Sequence, residues 1–238
     1  MTSAARGASP PGGGPGTGAG YFITFEGIDG CGKTVQARRL AAQLRNQGVP
    51  VVETREPGGT AIGKGLRALL LDSASAAMTP HCEVLLYLAD RVQHLAEVIR
   101  PALARGDTVI CDRYHDATLA YQHHGRGLDL APLEAFIARE IAPLPPHLTL
   151  WLDVDVATAR RRIAARASGG AAGNEVRMDQ YPPEFHERVR RGYGELAGRN
   201  PERIVRIDGA PDLDQVEAEI WRQVSRRAES LAARGGGG

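Results

Sequence analysis

The chain has 238 residues, which suits one large domain with a substantial core, and its formal net charge of +1 gives no overall field favouring nucleic acid or a membrane surface. No apolar stretch approaches the length of a membrane span, and the N-terminus lacks the charged and apolar regions of a signal peptide. Three cysteines without metal-like spacing favour the reducing cytoplasm over a disulfide scaffold.

The first predicted element is a buried strand over residues 21–25, after a Gly- and Pro-rich stretch over 1–20 that we expect to be a disordered extension. A phosphate-binding loop follows it and matches G-x-x-x-x-G-K-[ST] at every fixed position. Its residues are Gly27, Ile28, Asp29, Gly30, Cys31, Gly32, Lys33 and Thr34. In such a loop backbone N–H groups surround a phosphate, the lysine reaches the outer phosphates and the hydroxyl serves a magnesium ion.

Strands and helices alternate along the rest of the chain. Further strands are predicted over residues 49–54, 107–111, 148–154 and 203–207. Helices are predicted over residues 35–47, 80–105, 130–141, 156–166, 182–198 and 213–233, with two more around Ile62, Leu66, Leu69 and Leu70 and around Thr118, Tyr121 and Gln122. The alternation predicts an α/β fold in which helices cover both faces of a five-stranded parallel sheet. We expect one domain over 21–233 and a flexible tail over 234–238.

For the helix over 80–105, the sequence predicts which side chains are buried and where the helix is interrupted. Its predicted core stripe is Leu85, Leu88, Val92, Leu95 and Ile99. Pro101 should kink or divide it. We expect the helix after residue 112 to break at 123–127.

A phosphate loop alone indicates only that a nucleoside triphosphate binds. A GTP switch should carry an N-K-x-D motif, and neither Lys33 nor Lys64, the only two lysines, fits one. In a parallel sheet the site should lie at the carboxyl ends of the strands. Arg55 and Arg113 follow two strand ends, and a guanidinium suits a phosphate because its fork grips two oxygens.

Six motifs in order, the first of which contains the phosphate loop, make the chain resemble the thymidylate kinase family in its bacterial form. They are FEGIDGCGKT at 25–34, TREPGGT at 54–60, LRALLLD at 66–72, EVLLYLADRVQH at 83–94, DRYHDATLAYQ at 112–122 and GRGLD at 125–129. The resemblance spans 21–233. It implies the P-loop fold of nucleoside monophosphate kinases with a mobile lid at about 160–180. It also implies phosphoryl transfer from ATP to dTMP with Mg²⁺, and a homodimer.

The resemblance also implies roles at the reacting phosphates. Arg113 would clamp the dTMP phosphate with Arg55 nearby, and Asp29 would meet the 3′-hydroxyl of the acceptor. Asp112 would orient Arg113 or meet the magnesium held by Thr34 through water. From the residues alone, a solvent-facing Asp29 and a strand-end salt bridge at Asp112 stay open. Glu56-Pro57 resembles a family turn with a cis peptide.

For the base and sugar, the resemblance implies that Tyr87 stacks on thymine and Arg91 donates to a base carbonyl. Thr118 and Gln122 would add hydrogen bonds near the base, and Tyr121 would fill the space beside C2′ and reject ribonucleotides. Without the family, the simpler interpretation of Tyr87 and Arg91 is a core tyrosine and a surface arginine one turn apart.

Catalytic charge is expected from the lid, because the phosphate loop has no arginine before Lys33. Arg162, Arg166 and Arg177 match family lid positions, and the motif around Arg177 is weakened to EVRMD, so the sequence leaves open which of them acts. No general base is needed for a phosphate acceptor. The alternatives are another nucleoside monophosphate kinase, a deoxynucleoside kinase with Glu53 or Glu56 as base, and a P-loop nucleotide switch.

Overall fold

A computed structural model describes residues 20–141, 143–166, 168, 177 and 181–235. Its strands are Tyr21–Glu26 (β1), Val51–Arg55 (β2), Thr108–Asp112 (β3), Leu148–Asp153 (β4) and Ile204–Asp208 (β5). They form one sheet in the order β2-β3-β1-β4-β5, and every neighbouring pair is parallel. The predicted five-stranded parallel sheet is confirmed. The expected extension over 1–19, residues 236–238 of the tail and most of the predicted lid lie outside the described residues.

Helices connect the strands and cover the sheet. They are Lys33–Asn46 (α1), Ala61–Leu71 (α2), Pro80–His94 (α3), Arg100–Ala104 (α4), His115–Thr118 (α5), Glu134–Glu140 (α6), Val156–Arg166 (α7), Pro183–Arg199 (α8) and Leu213–Gly235 (α9). Short 3₁₀ turns cover Ser73–Ser75 and Ala131–Leu133. Because α9 continues to Gly235, it includes the first two residues of the predicted tail. No helix in the described part of the chain is long and apolar enough to cross a membrane.

The sheet is buried on both faces, which is why β1 and β4 are fully buried along their length. Successive side chains of β1 point to opposite faces. Ile23 and Phe25 pack in a core with α1, α8 and α9, whereas Phe22 packs in a second core with α3. Both cores hold the strands in place, so the carboxyl ends of β1, β2 and β3 form a fixed edge for the site.

Two predicted helices differ from the structure where the hydrogen-bond ladder changes. The predicted helix over 80–105 becomes α3, a π-helical segment Leu95–Ile99 and then α4. The division precedes Pro101 because a proline cannot donate to the preceding turn, which disturbs the ladder before it. The segment after α5 continues as a π-helix over Leu119–Gly125, so the predicted break at 123 comes only after Gly125.

The predicted core stripe of α3 is wrong at Leu85, which is 54% exposed. The buried apolar side chains of this stretch are Val84, Leu88, Leu95 and Ile99. The register differs because α3 turns charged residues inward as well, so its buried face is wider than its apolar stripe.

A buried ion pair ties the start of α5 to the β4–β5 edge. Arg203 donates through Nη1 and Nη2 to both oxygens of Asp116, at 2.6 and 3.0 Å, and through Nη1 to the Thr149 hydroxyl. Asp116 is fully buried. Burial alone would raise the pKa of Asp116, but the neighbouring His115 and Arg203 outweigh it and lower that pKa. The carboxylate therefore depends on Arg203.

We expect Arg203→Ala to lower the free energy of unfolding by about 3–5 kcal/mol, because it leaves a buried carboxylate without its arginine. Chemical denaturation measures this loss. The control is Arg199→Ala, which removes an exposed i,i+4 pair with Glu195 and should cost about 0–1 kcal/mol. Similar losses in the two variants would contradict the structural role of the Asp116–Arg203 pair.

Candidate active site

The phosphate loop lies between β1 and α1, and its backbone requires glycine. Gly27, Gly30 and Gly32 have φ angles of 135°, 81° and 103°, which side chains rarely allow. A Cβ at Gly30 would lie 2.4 Å from the carbonyl oxygen of Ala159. The loop therefore packs directly on α7 and opens onto the N-terminus of α1, a position suited to phosphate.

Lys33 lies within this loop and is only 6% exposed. Its Nζ donates to the carbonyl oxygen of Ile28 at 2.9 Å. Cys31 fills the space beside it, and burial raises the pKa of the Cys31 thiol. The ammonium group is thus held at the centre of the loop, where the outer phosphates of a nucleotide would bind.

Thr34 and Asp112 meet across the mouth of the loop. The Thr34 hydroxyl donates to Asp112 Oδ2 at 2.5 Å. Among the described residues Asp112 forms no salt bridge, so the alternative of a strand-end ion pair is not observed. The same residues contain no cluster of three His, Cys, Asp or Glu side chains that could hold a metal ion. A hydroxyl and a carboxylate fit Mg²⁺, which takes few protein oxygens and completes its shell with water and phosphate.

Arg113 follows β3 and connects the phosphate loop with the opposite wall of the cleft. Its backbone is left-handed, with φ 72°, an uncommon conformation that aims the side chain across the site. The guanidinium donates to Gly27 O at 3.1 Å, to Asp29 Oδ1 at 2.7 Å and to the Tyr121 hydroxyl at 3.0 Å. It lies 4.8 Å from the centre of the Tyr121 ring.

Asp29 faces this guanidinium. The alternative interpretation from the sequence, in which Asp29 only points to solvent, is therefore wrong. Tyr121 donates its hydroxyl to Asp29 Oδ2 at 3.1 Å. Burial alone would raise the pKa of Asp29, but the charges of Arg113 and Lys33 outweigh burial and hold that pKa well below its usual value. Asp29 therefore stays ionised and fixes Arg113.

Arg91 is buried, so its interpretation as a surface arginine is wrong. Its Nε donates to Glu56 Oε2 at 2.7 Å, and its Nη1 and Nη2 donate to the Thr118 hydroxyl and the Tyr114 carbonyl oxygen. Tyr87 is half-buried and lines the cleft one turn before Arg91. The guanidinium has five N–H groups and spends three on these contacts, which leaves donors for a ligand.

Neither glutamate considered as a general base is available for that role. Glu56 accepts from Arg91 and from His94, whose Nδ1 lies 2.9 Å from Oε1. Burial alone would raise the pKa of Glu56, but Arg91 and His94 lower it. Glu53 is exposed, pairs with Arg45 at 3.9 Å and is not among the described residues that line the cleft. The Glu56-Pro57 bond is cis, as the turn suggested.

The three lid arginines lie in different places. Arg162 lines the cleft and donates to the carbonyl oxygens of Cys31 and Ala210. Arg166 lines the cleft one turn later and is exposed. Arg177 is buried away from the loop, where it donates to Leu70 O and to Glu83, both at 2.6 Å. The structure therefore brings only two of the three, Arg162 and Arg166, to the cleft.

These residues surround one cleft of about 1380 Å³ at the carboxyl edge of the sheet. That volume exceeds the roughly 300–1,000 Å³ of a usual single-ligand pocket and suits two nucleotides. Arg55 lines it, as do Thr118, Tyr121 and Gln122. At its far end lie residues that the sequence analysis missed, namely Val35, Arg38, Pro211, Asp212 and Leu213. Since the loop after β5 reaches the same edge, the strand-end rule could have found this part.

Behind Arg113 lies a further residue that the sequence analysis missed, Glu26. The Tyr114 N–H and the Tyr193 hydroxyl donate to Glu26 at 2.8 and 2.7 Å, and Tyr193 also accepts from Arg113. Glu26 is fully buried. Burial raises the pKa of Glu26 from 4.5 to about 7, and the nearby Asp116 adds to the rise.

A phosphate loop and an arginine-lined acceptor pocket that share one strand edge define a P-loop kinase of the nucleoside monophosphate type. The thymidylate kinase family model matches residues 25–220. Thymidylate kinase from Geobacter sulfurreducens is 51% identical over 202 residues, which cover 84% of this chain and 92% of that protein. Thymidylate kinase from Geobacter sp. strain M21 is 46% identical over 216 residues, which cover 91% and 96% respectively.

The chain therefore belongs to the thymidylate kinase family. Among solved structures, thymidylate kinase from Ehrlichia chaffeensis superposes with a TM-score of 0.68 at 33% identity, covering 87% of this chain and 99% of that one. The enzyme phosphorylates dTMP to dTDP with ATP.

We expect stability to depend on pH through Glu26. Its carboxyl holds a proton up to about pH 7 when folded but only to about 4.5 when unfolded, so its stabilising contribution is complete below pH 4.5 and is lost as pH rises through 7. The loss is at most about 3 kcal/mol. Unfolding of Glu26→Gln, compared with the unsubstituted chain from pH 5 to 8, measures it. Parallel pH profiles would contradict the raised pKa.

Proposed function

We propose that phosphoryl transfer occurs where Arg113 crosses the phosphate loop, with the ATP phosphates on Lys33 and the dTMP phosphate on Arg113. The observation that carries this proposal is the 2.7 Å contact between Arg113 and Asp29, because Asp29 belongs to the phosphate loop itself. A monophosphate held by Arg113 would then lie beside the terminal phosphoryl group. Arg55 adds a second guanidinium at the end of the adjacent strand β2.

The donor end lies beyond Lys33. Val35 and Leu213 are exposed apolar side chains that line this end of the cleft, 43% and 48% exposed respectively. They offer an apolar surface to the adenine ring, and Arg38 lines the same wall. Thr34 and Asp112 would hold Mg²⁺, whose chemistry is to neutralise charge on the transferring phosphates. The protein residues contribute position and charge rather than a base.

The acceptor end carries the base and sugar contacts. Tyr87 offers its ring to thymine, while Arg91 and Thr118, already joined at 2.8 Å, offer donors to a base carbonyl. The Tyr121 ring, held by Arg113 and Asp29, occupies space at the sugar. A fixed ring there disfavours a 2′-hydroxyl both sterically and by leaving it unpaired.

An acceptor panel tests this proposal against its rivals. Coupled ADP release should be fastest with dTMP, weaker with dUMP and dCMP, and negligible with thymidine. Glu53 and Glu56, the two bases considered for a deoxynucleoside kinase, are both engaged elsewhere, so neither is available to deprotonate a sugar hydroxyl. Faster turnover of thymidine than of dTMP would favour the deoxynucleoside kinase, and no dTMP binding by calorimetry would favour a nucleotide switch.

We expect Arg166→Ala to lower kcat by about three decades, because an arginine on the transferring group stabilises charge only in the transition state. The KM for dTMP should change less than about threefold, since Arg166 lies outside the acceptor wall. Arg177→Ala is the control, and its kcat should fall far less because Arg177 binds Glu83. Steady-state kinetics would contradict this assignment if the two variants lost kcat equally.

We propose that the protein is a homodimer whose interface includes the exposed apolar side chains of α2 and α3. Ile62 and Leu69 on α2 are 56% and 54% exposed, and Leu85 on the neighbouring α3 is 54% exposed. Large apolar side chains exposed on two neighbouring helices are typical of subunit interfaces. Three free cysteines agree with the cytoplasmic location that we propose for the enzyme.

We expect Leu85→Glu to convert the dimer into monomers, because a buried unpaired carboxylate would oppose association. Light scattering after size-exclusion chromatography measures the molar mass. Arg226→Glu, which places the same side chain on the exposed surface of α9, should leave the dimer intact. A monomeric unsubstituted chain would overturn the proposal.

A further inference from the structure

Glu83 is the centre of a buried cluster that phosphoryl transfer itself does not require. We call Glu83, Gln122, Arg126 and Arg177 the Glu83 cluster. Glu83 is fully buried on α3, one turn before Tyr87, so the two side chains share a helix face. The cluster thus lies directly behind the wall that faces the base.

Among the described residues, every polar contact of the Glu83 carboxylate is a hydrogen bond that it accepts. Oε1 accepts from Gln122 Nε2 at 2.9 Å and from Arg126 Nε at 2.7 Å. Oε2 accepts from Arg126 Nη2 at 2.5 Å and from Arg177 Nη2 at 2.6 Å. Burial alone would raise the pKa of Glu83, but its hydrogen bonds with Arg126 and Gln122, together with the charge of Arg126, lower it. Glu83 is therefore an ionised carboxylate.

An ionised carboxylate has no proton to donate, which fixes the orientation of Gln122. Only the NH₂ end of the amide can face Glu83, so its carbonyl oxygen must be turned away. Gln122 is 2% exposed and lines the cleft, and no described hydrogen bond uses its Oε1. The side chain therefore offers the cleft a carbonyl acceptor and the remaining N–H donor.

We propose that Glu83 is a positioning residue that sets base specificity by holding the Gln122 amide in one orientation. The inference rests on the proposed function, which assigns this wall to the base of dTMP. Thymine presents an N–H donor beside a carbonyl acceptor, which matches the fixed amide. Cytosine presents a ring-nitrogen acceptor beside an amino donor and requires the opposite orientation.

Rotating the amide to suit cytosine would set its carbonyl oxygen against the Glu83 carboxylate. The hydrogen bond at 2.9 Å would be replaced by contact between two acceptors in a buried site, which is costly because neither can be satisfied there. Arg91 also disfavours an amino group, since a guanidinium only donates. Loss of Glu83 should therefore weaken discrimination without abolishing it.

The test is Glu83→Gln, measured as kcat/KM for dTMP divided by kcat/KM for dCMP. An amide at this position can donate or accept, so Gln122 becomes free to adopt either orientation. We expect the ratio to fall about tenfold, mainly through a lower KM for dCMP. The matched control is Arg177→Gln, which breaks one of the two buried ion pairs of Glu83 from the other side but leaves the carboxylate facing Gln122. Its ratio should stay within about twofold of the unsubstituted chain.

If Glu83→Gln does not fold, Glu83→Asp replaces it in the same measurement. It keeps the negative charge and withdraws the carboxylate from the amide, so the ratio should again fall, by about threefold or more. An unchanged ratio in a folded variant at Glu83, or an equal fall in Arg177→Gln, would overturn the inference. Both outcomes leave the proposed function standing, whereas an unsubstituted chain without activity on dTMP would overturn both.

Discussion

The contact between Arg113 and Asp29 is the interaction on which the rest of the site depends. Asp29 belongs to the donor loop, Arg113 follows β3, and Tyr121 bonds to both from the helix after α5. The phosphate loop therefore meets a segment more than eighty residues away in sequence at one pair of charges. The left-handed backbone at Arg113 is a local strain, and the packed β3 and the buried Glu26 behind it hold that conformation in place.

This arrangement explains how positioning replaces base catalysis. The acceptor is a phosphate that is already ionised, so the protein must bring two anions together and neutralise them. Lys33 and Arg113 provide fixed charge within the cleft, and Asp29 holds the Arg113 guanidinium in place. Arg162 and Arg166, one turn apart at the end of α7, can add charge from the lid side. In the proposed site the base is held separately, by α3 and the segment after α5.

The sheet and the phosphate loop were predictable because their signals are local. Alternating elements imply a parallel sheet, and the glycines of the loop have φ angles that few other residues adopt. The buried charges were not predictable from periodicity. Leu85 seemed a core residue by its spacing, whereas Glu83 and Arg91 occupy buried positions only because Arg126, Arg177 and Glu56 compensate them across the fold. Arg177 is buried because it pairs with Glu83, and the sequence around Arg177 carries no sign of that partner.

The most direct test of the account is calorimetry of Arg113→Lys with dTMP and with a non-hydrolysable ATP analogue. Lysine keeps the positive charge but loses the fork that contacts Asp29 and Tyr121 and that we propose grips the dTMP phosphate. If Arg113 belongs to the acceptor site, the dissociation constant for dTMP should rise about thirtyfold or more, while that for the ATP analogue changes less than about threefold. Equal weakening of both ligands, or unchanged dTMP binding, would contradict the separation of donor and acceptor at the Arg113–Asp29 contact.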